Sequence, residues 1–122
     1  MKVISLILFT ILLSSCSFSN RYDYNTLSQL DRGISETNIV NFFNLDYDEF
    51  YPFEFEGEKY KIYYQEMTII SSQTSYFSTY DVYVFLIKDS KLFEYGLLED
   101  FRRSNFLINR EVAKIVSEEL WN

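Results

Sequence analysis

The segment Thr79–Lys88 constrains this chain more than any other. Val82, Val84 and Leu86 alternate with Tyr83, Phe85 and Ile87. Successive side chains of a strand point to opposite faces, so this strand is apolar on both sides. Such a strand belongs in the centre of a sheet rather than at its edge. Asp89-Ser90 then makes a tight hairpin turn and Lys91–Leu97 returns as the next strand. On the other side, Lys59–Ile70 is rich in Tyr, Ile and Thr and long enough for one strand, with Ser71–Ser78 as a polar loop between the two. One face of this three-stranded antiparallel sheet is expected to pack on helices.

The helices are read at the two ends. Thr26–Asp31 places Leu27 and Leu30 at i, i+3 spacing, and Gly33 breaks the segment. Ser35 is a good N-cap for a second helix, whose Ile39, Val40, Phe42 and Phe43 form an apolar stripe. Asn109 is an N-cap candidate for a last helix in which Val112, Ile115, Val116 and Leu120 make an amphipathic stripe. The expected fold class is therefore α+β: two N-terminal helices packed on a three-stranded antiparallel sheet, plus a C-terminal helix. With 122 residues, 12 Phe and 11 Tyr against 3 Gly and 1 Pro, the chain has the length of one domain and the aromatic content of one that folds.

The first residues read differently. Lys2 precedes an uncharged apolar run, Val3–Leu13, of signal-peptide length and too short to span a bilayer. Leu13-Ser14-Ser15-Cys16 follows, and this tetrapeptide resembles the lipobox of bacterial lipoproteins. The resemblance implies cleavage after Leu13, Ser14 and Ser15 and lipidation of Cys16. Several acyl chains hold a protein firmly where one is marginal, each buried CH2 contributing about 0.8 kcal/mol. The alternatives are a secretory signal with a cysteine nearby, or an uncleaved anchor. On the lipoprotein reading, residues 1–15 are the signal peptide, residues 16–25 a lipidated tether and residues 26–122 a single domain. Ser17 rather than Asp follows the cysteine, which by analogy with Gram-negative lipoproteins implies the outer membrane, facing the periplasm.

Charge and residue inventory narrow the chemistry. The net charge of -7 disfavours phosphate backbones, so no nucleic acid is expected. There is no His, and Cys16 is the one Cys, which excludes an intramolecular disulfide, zinc sites built from His and Cys, and nucleophile pairs that need His. Glu99-Asp100 and Glu118-Glu119 are nominal carboxylate pairs, but adjacent residues point in different directions. No catalytic residues, metal or cofactor are expected, and the protein is read as not an enzyme. Arg102 and Arg103 could bind an anionic group; pairing with Glu99 and Asp100 is the simpler account.

The unusual segment is Asn44–Glu58. It carries Asp46, Asp48, Glu49, Glu54, Glu56 and Glu58, no basic residue, and Tyr47, Phe50, Tyr51, Phe53 and Phe55 between them. With Pro52 inside, it reads as a loop with an edge-strand portion closing at Gly57. Three readings stay open: a solvated loop whose aromatics cover the core edge, a divalent-cation site, or a protein-docking segment. In the docking reading Tyr47, Asp48, Glu49, Phe50, Tyr51, Glu54 and Glu56 make the contact. Tyr60, Ile62 and Tyr64 share one sheet face, with Tyr83 and Tyr95 near such a face, suited equally to an interface and to a half-exposed sheet.

Leu27, Leu30, Gly33-Ile34-Ser35, Ile39-Val40 and Phe43, followed by Phe85, Lys88-Asp89-Ser90-Lys91-Leu92, resemble the SmpA/OmlA (BamE-like) family of small lipoproteins over about residues 27–97. The resemblance implies two helices before a three-stranded antiparallel sheet, and a non-catalytic accessory role in outer-membrane assembly or maintenance through contacts with another envelope protein. The chain departs from the pattern at Asn44-Leu45-Asp46, where the family has Gly-x-Pro, in the Gly-less hairpin, and in the helix from Asn109. The same unit resembles a protein inhibitor of β-lactamase, which implies the alternative of a periplasmic inhibitor or immunity-type lipoprotein that blocks an enzyme.

Overall fold

The computed structural model describes residues 21–70 and 78–121. The expected signal and lipidation residues, Leu13, Ser14, Ser15 and Cys16, lie outside the described residues, as does most of the loop read at Ser71–Ser78. Among the described residues nine elements follow one another: β1 (Arg21–Asp23), α1 (Tyr24–Ser28), α2 (Glu36–Phe42), β2 (Tyr51–Phe55), β3 (Glu58–Ile70), β4 (Ser78–Lys88), β5 (Lys91–Leu97), α3 (Leu98–Arg102) and α4 (Leu107–Trp121). No helix among the described residues is long and apolar enough to cross a membrane.

The expected layout of two helices on a three-stranded antiparallel sheet is overturned. The sheet is mixed and curled, and has five strands. β4 runs antiparallel to both β3 and β5, with Tyr63 opposite Phe85 and Phe85 opposite Tyr95. Two further strands share the outer edge of β3. β2 pairs antiparallel with its first half, up to Tyr51 opposite Ile62, and β1 pairs parallel with its end, Arg21 opposite Thr68. β1 thus falls in the stretch read as a tether. The physical reason is the length of β3: its 13 residues offer more edge than one short strand covers, and an uncovered edge exposes unpaired backbone groups. Pro52 sits in β2, an edge strand that tolerates a missing N–H.

Helices cover both faces, not one. On the first face, Leu27, Leu30, Ile39, Val40 and Phe43 pack on Tyr63, Met67, Ile69, Tyr83, Phe85 and Ile87. On the second, Leu98, Phe101, Val112, Ala113 and Val116 pack on Tyr60, Ile62, Val82, Val84 and Leu86. Val84, Phe85 and Leu86 are completely buried. A strand apolar on both sides needs two covering layers, and α3 and α4 supply the second.

Local signals account for the turns and caps. Glu56 and Gly57 (φ 50° and 81°), and Asp89 and Ser90 (φ 53° and 63°), each form a two-residue hairpin connection in the left-handed region, as the twist of paired strands favours. Ser35 caps α2, its hydroxyl accepting from Asn38 N at 3.2 Å. Asn109 is not the cap of α4, which begins at Leu107; Asn109 is buried within its first turn and donates to Ser104 Oγ at 3.0 Å. The Ser104 hydroxyl also accepts from Phe106 N, just ahead of the helix.

The outer edge of β5 is closed by the chain itself. Gly33 N donates to Leu92 O and Leu92 N to Ile34 O, both at 2.7 Å. The Glu94 carboxylate accepts from Tyr95 N and pairs with Arg32 at 2.6 Å. Gly33, at φ 98°, makes the bend that brings this segment to the edge.

Candidate functional site

Strand parity places Lys61 and Tyr63 on one side of β3, facing the start of α2, where Glu36 is the first helical residue. Glu36 is 1% exposed. Its carboxylate accepts from Tyr63 OH at 2.5 Å and from Lys61 Nζ at 3.1 and 3.3 Å. A carboxylate so deeply buried is costly unless hydrogen-bonded and paired, and here both conditions hold. The helix N-terminus adds a favourable dipole. Burial, then the hydrogen bond to Glu36, pushes the Tyr63 hydroxyl well above the ordinary tyrosine value.

This buried group holds the acidic-aromatic segment. Lys61 Nζ lies 4.7 Å from the centre of the Phe50 ring and 5.5 Å from that of Tyr47, within cation–π range. The Tyr63 hydroxyl also stands 3.3 Å from Tyr47 O, and Gln65 Nε2 donates to Phe43 O at 2.8 Å. Within the segment, Asp46 Oδ1 accepts from Asp48 N and Asp46 O from Glu49 N, a local turn that fixes its shape.

The seven residues read as a docking segment separate into two groups. Tyr47, Asp48, Glu49, Phe50 and Tyr51 gather where β2 begins. Tyr47 and Tyr51 are 47% and 38% exposed and Asp48 and Glu49 are exposed, whereas Phe50 is partly buried and packs on Tyr63. Glu54 and Glu56 lie at the far end of the hairpin, Glu54 opposite Lys59 and Glu56 in the turn. Phe53 and Phe55 cover the second core. Among the described residues no group of three His, Cys, Asp or Glu is placed to hold a metal ion.

A notch of about 290 Å³ is lined by Glu49, Phe50 and Tyr51, by Tyr64 of β3 and by Glu119 of α4. Burial first, then the carboxylates of Glu119, Glu49 and Glu66, raises the Tyr64 hydroxyl above its usual range. Arg102 and Arg103 both pair with Glu99, at 3.0 and 3.2 Å, and Arg102 also donates to Ser117 Oγ.

Sequence reasoning missed Glu36, Lys61 and Tyr63 as supports, and the placement of Glu49 and Glu119 on one notch. The alternation of β3 does put Lys61 and Tyr63 on a common face, so half of the latch had a signal. Glu36 reads from sequence as an ordinary acidic first-turn residue, and nothing local marks it as buried. Compared with protein-family models, curated proteins and solved structures, the chain matches none.

Proposed function

We propose that this chain is a bacterial lipoprotein, anchored through Cys16 and acting without catalysis as a protein-binding accessory in the cell envelope. The observation that carries the location is Leu13-Ser14-Ser15-Cys16 behind an uncharged apolar leader. An outer-membrane position facing the periplasm rests on Ser17 after the cysteine. The binding half is supported by the exposed Tyr47, Asp48, Glu49 and Tyr51, held in one shape by Lys61 and the Asp46 turn. A preformed aromatic surface loses little entropy on docking, and the acids beside it steer a basic partner. The role itself, in outer-membrane assembly or maintenance, is taken from the SmpA/OmlA resemblance.

The same acidic, aromatic surface favours a second reading, an inhibitor or immunity-type lipoprotein that blocks a basic enzyme. The test is mass analysis of the native protein, followed by cross-linking and capture from detergent-solubilised envelope. A diacylglyceryl thioether on Cys16 with the leader removed is expected, together with recovery of an envelope protein. Capture is expected to fall about tenfold in a Tyr47→Ala, Tyr51→Ala double variant, equivalent to about 1.4 kcal/mol. A bare thiol or a retained leader overturns the anchoring. Recovery of one soluble basic enzyme at 1:1 stoichiometry selects the inhibitor.

A further inference from the structure

We propose that this chain associates head to tail with copies of itself: Trp121, at the end of α4 in one molecule, enters the cleft at the start of α4 in the next. The proposal is independent of the anchoring and of any envelope partner.

The cleft, of about 300 Å³, lies between β5 and the start of α4, with Leu92, Phe93, Phe106 and Ile108 as its apolar lining. That volume is at the lower end for a binding pocket and suits one large side chain. Phe106 lines the cleft yet is 67% exposed. Asn109 lines it too. It is 6% exposed, its Nδ2 donates to Ser104 Oγ, and its Oδ1 has no partner among the described residues. Buried polar atoms are nearly always paired, so the cleft lacks both an apolar filler and a hydrogen-bond donor. An indole supplies both, as a large apolar ring with one N–H.

The other end of the same helix carries that group. Trp121 is the only tryptophan of the chain, and it is 85% exposed. Charge matches the two ends to each other. Between Arg102 and Lys114 the chain carries four bases and one acid, Glu111. Arg102 and Arg103 share the single carboxylate of Glu99, Arg110 donates to the neutral Ser104 O, and Arg32 and Glu94 of the cleft lining cancel each other. The start of α4 is thus positive, and the helix dipole adds to it. Beside Trp121, Glu118 and Glu119 are exposed, the last turn holds no basic residue, and the dipole is negative. The 15 residues of α4 separate its ends by about 22 Å, so Trp121 cannot fill the cleft of its own molecule. A contact between two different patches of one chain is heterologous, and leaves a free cleft at one end of the assembly and a free Trp121 at the other.

The test uses variants of the full chain in nonionic detergent and reads the fluorescence of that one tryptophan. Phe106→Glu blocks the cleft and keeps Trp121; Trp121→Ala keeps the cleft and is dark. Both positions are exposed, so neither change disturbs the core. Adding the dark chain to the Phe106→Glu chain is expected to shift Trp121 emission to shorter wavelength, saturably and at 1:1, because that pair can extend no further. A dark chain that also carries Phe106→Glu is expected to act at least about tenfold more weakly. Glu118→Lys, Glu119→Lys in the tryptophan-bearing chain is expected to weaken the shift as well. Equal shifts with both dark chains, or no shift up to about 1 mM, overturns the proposal. So does emission already at the short wavelength before any addition, the result expected if a detergent or lipid surface is what covers Trp121.

Discussion

The Tyr63 hydroxyl donates a 2.5 Å hydrogen bond to the carboxylate of Glu36, joining the middle of β3 to the first turn of α2 beneath the docking segment. Replacing Glu36 with Ala removes the acceptor of Tyr63 and the counter-charge of Lys61 together. Loss of a buried pair member costs about 3–5 kcal/mol, but Lys61 is about one-third exposed, so about 2–3 kcal/mol is expected after solvent screening. Glu36→Gln keeps an acceptor and is expected to cost about 1 kcal/mol. Urea denaturation of both variants measures the difference.

Alkaline stability should report the same bond. Below about pH 10 Tyr63 is protonated in both the folded and the unfolded chain, so its contribution is complete there. Its folded value is raised, so above about pH 10 the unfolded tyrosine ionises first, the unfolded state loses protons, and stability falls with rising pH. Tyr22 and Tyr64 shift in the same direction. Tyr63→Phe is therefore expected to reduce, without abolishing, the decline in urea midpoint between about pH 9 and 11.

Lys61→Met keeps the aliphatic stem and deletes the charge under Tyr47 and Phe50. The buried Glu36 carboxylate also loses its ion-pair partner, so a cost of about 2–3 kcal/mol is expected, discounted for the exposure of Lys61. The diagnostic readout is local: amide exchange should accelerate across Asn44–Phe50 while β4 stays protected. Lys61→Arg should restore protection.

Ser90 occupies a left-handed conformation at φ 63° beside Asp89 at φ 53°. Glycine adopts that geometry without the Cβ penalty. Ser90→Gly is expected to stabilise by about 0.5–1 kcal/mol, raising Tm by about 2–8 °C in a thermal melt.

Deleting α4 removes Val112, Ala113 and Val116 from the second face and uncovers Ile62, Val84 and Leu86. Each such side chain is worth about 1.5–3 kcal/mol of burial, more in total than a domain of this size holds in reserve. The truncated chain is expected to bind a hydrophobic dye and to lose near-ultraviolet circular dichroism.

How much of this was legible follows from where each signal resides. The strand at Val82–Ile87 declared its central place because alternation is a local, two-residue property, and Asp89-Ser90 marked its turn in the same way. The same pattern also carried a consequence left undrawn: two apolar faces require two covers, and the stripe Val112–Leu120 was available for the second. β1 was invisible because Arg21–Asp23 is only three residues with one apolar side chain, ordered by the spare edge of β3 and by Tyr22 packing on Phe43. In the candidate site, the exposed tyrosines and acids could be read from composition. The burial of Glu36 and the approach of Glu119 to Glu49 could not, because each depends on contacts between residues far apart in the chain.

That two-sided cover also fixes when the molecule can first exist. Ribosomes release the N-terminus first, and residues 98–121, which clothe the Val84 side, follow every strand they cover. A nascent chain that lacks them leaves Ile62, Val84 and Leu86 facing water. Closure of the second core therefore waits on a segment that is made after the whole sheet.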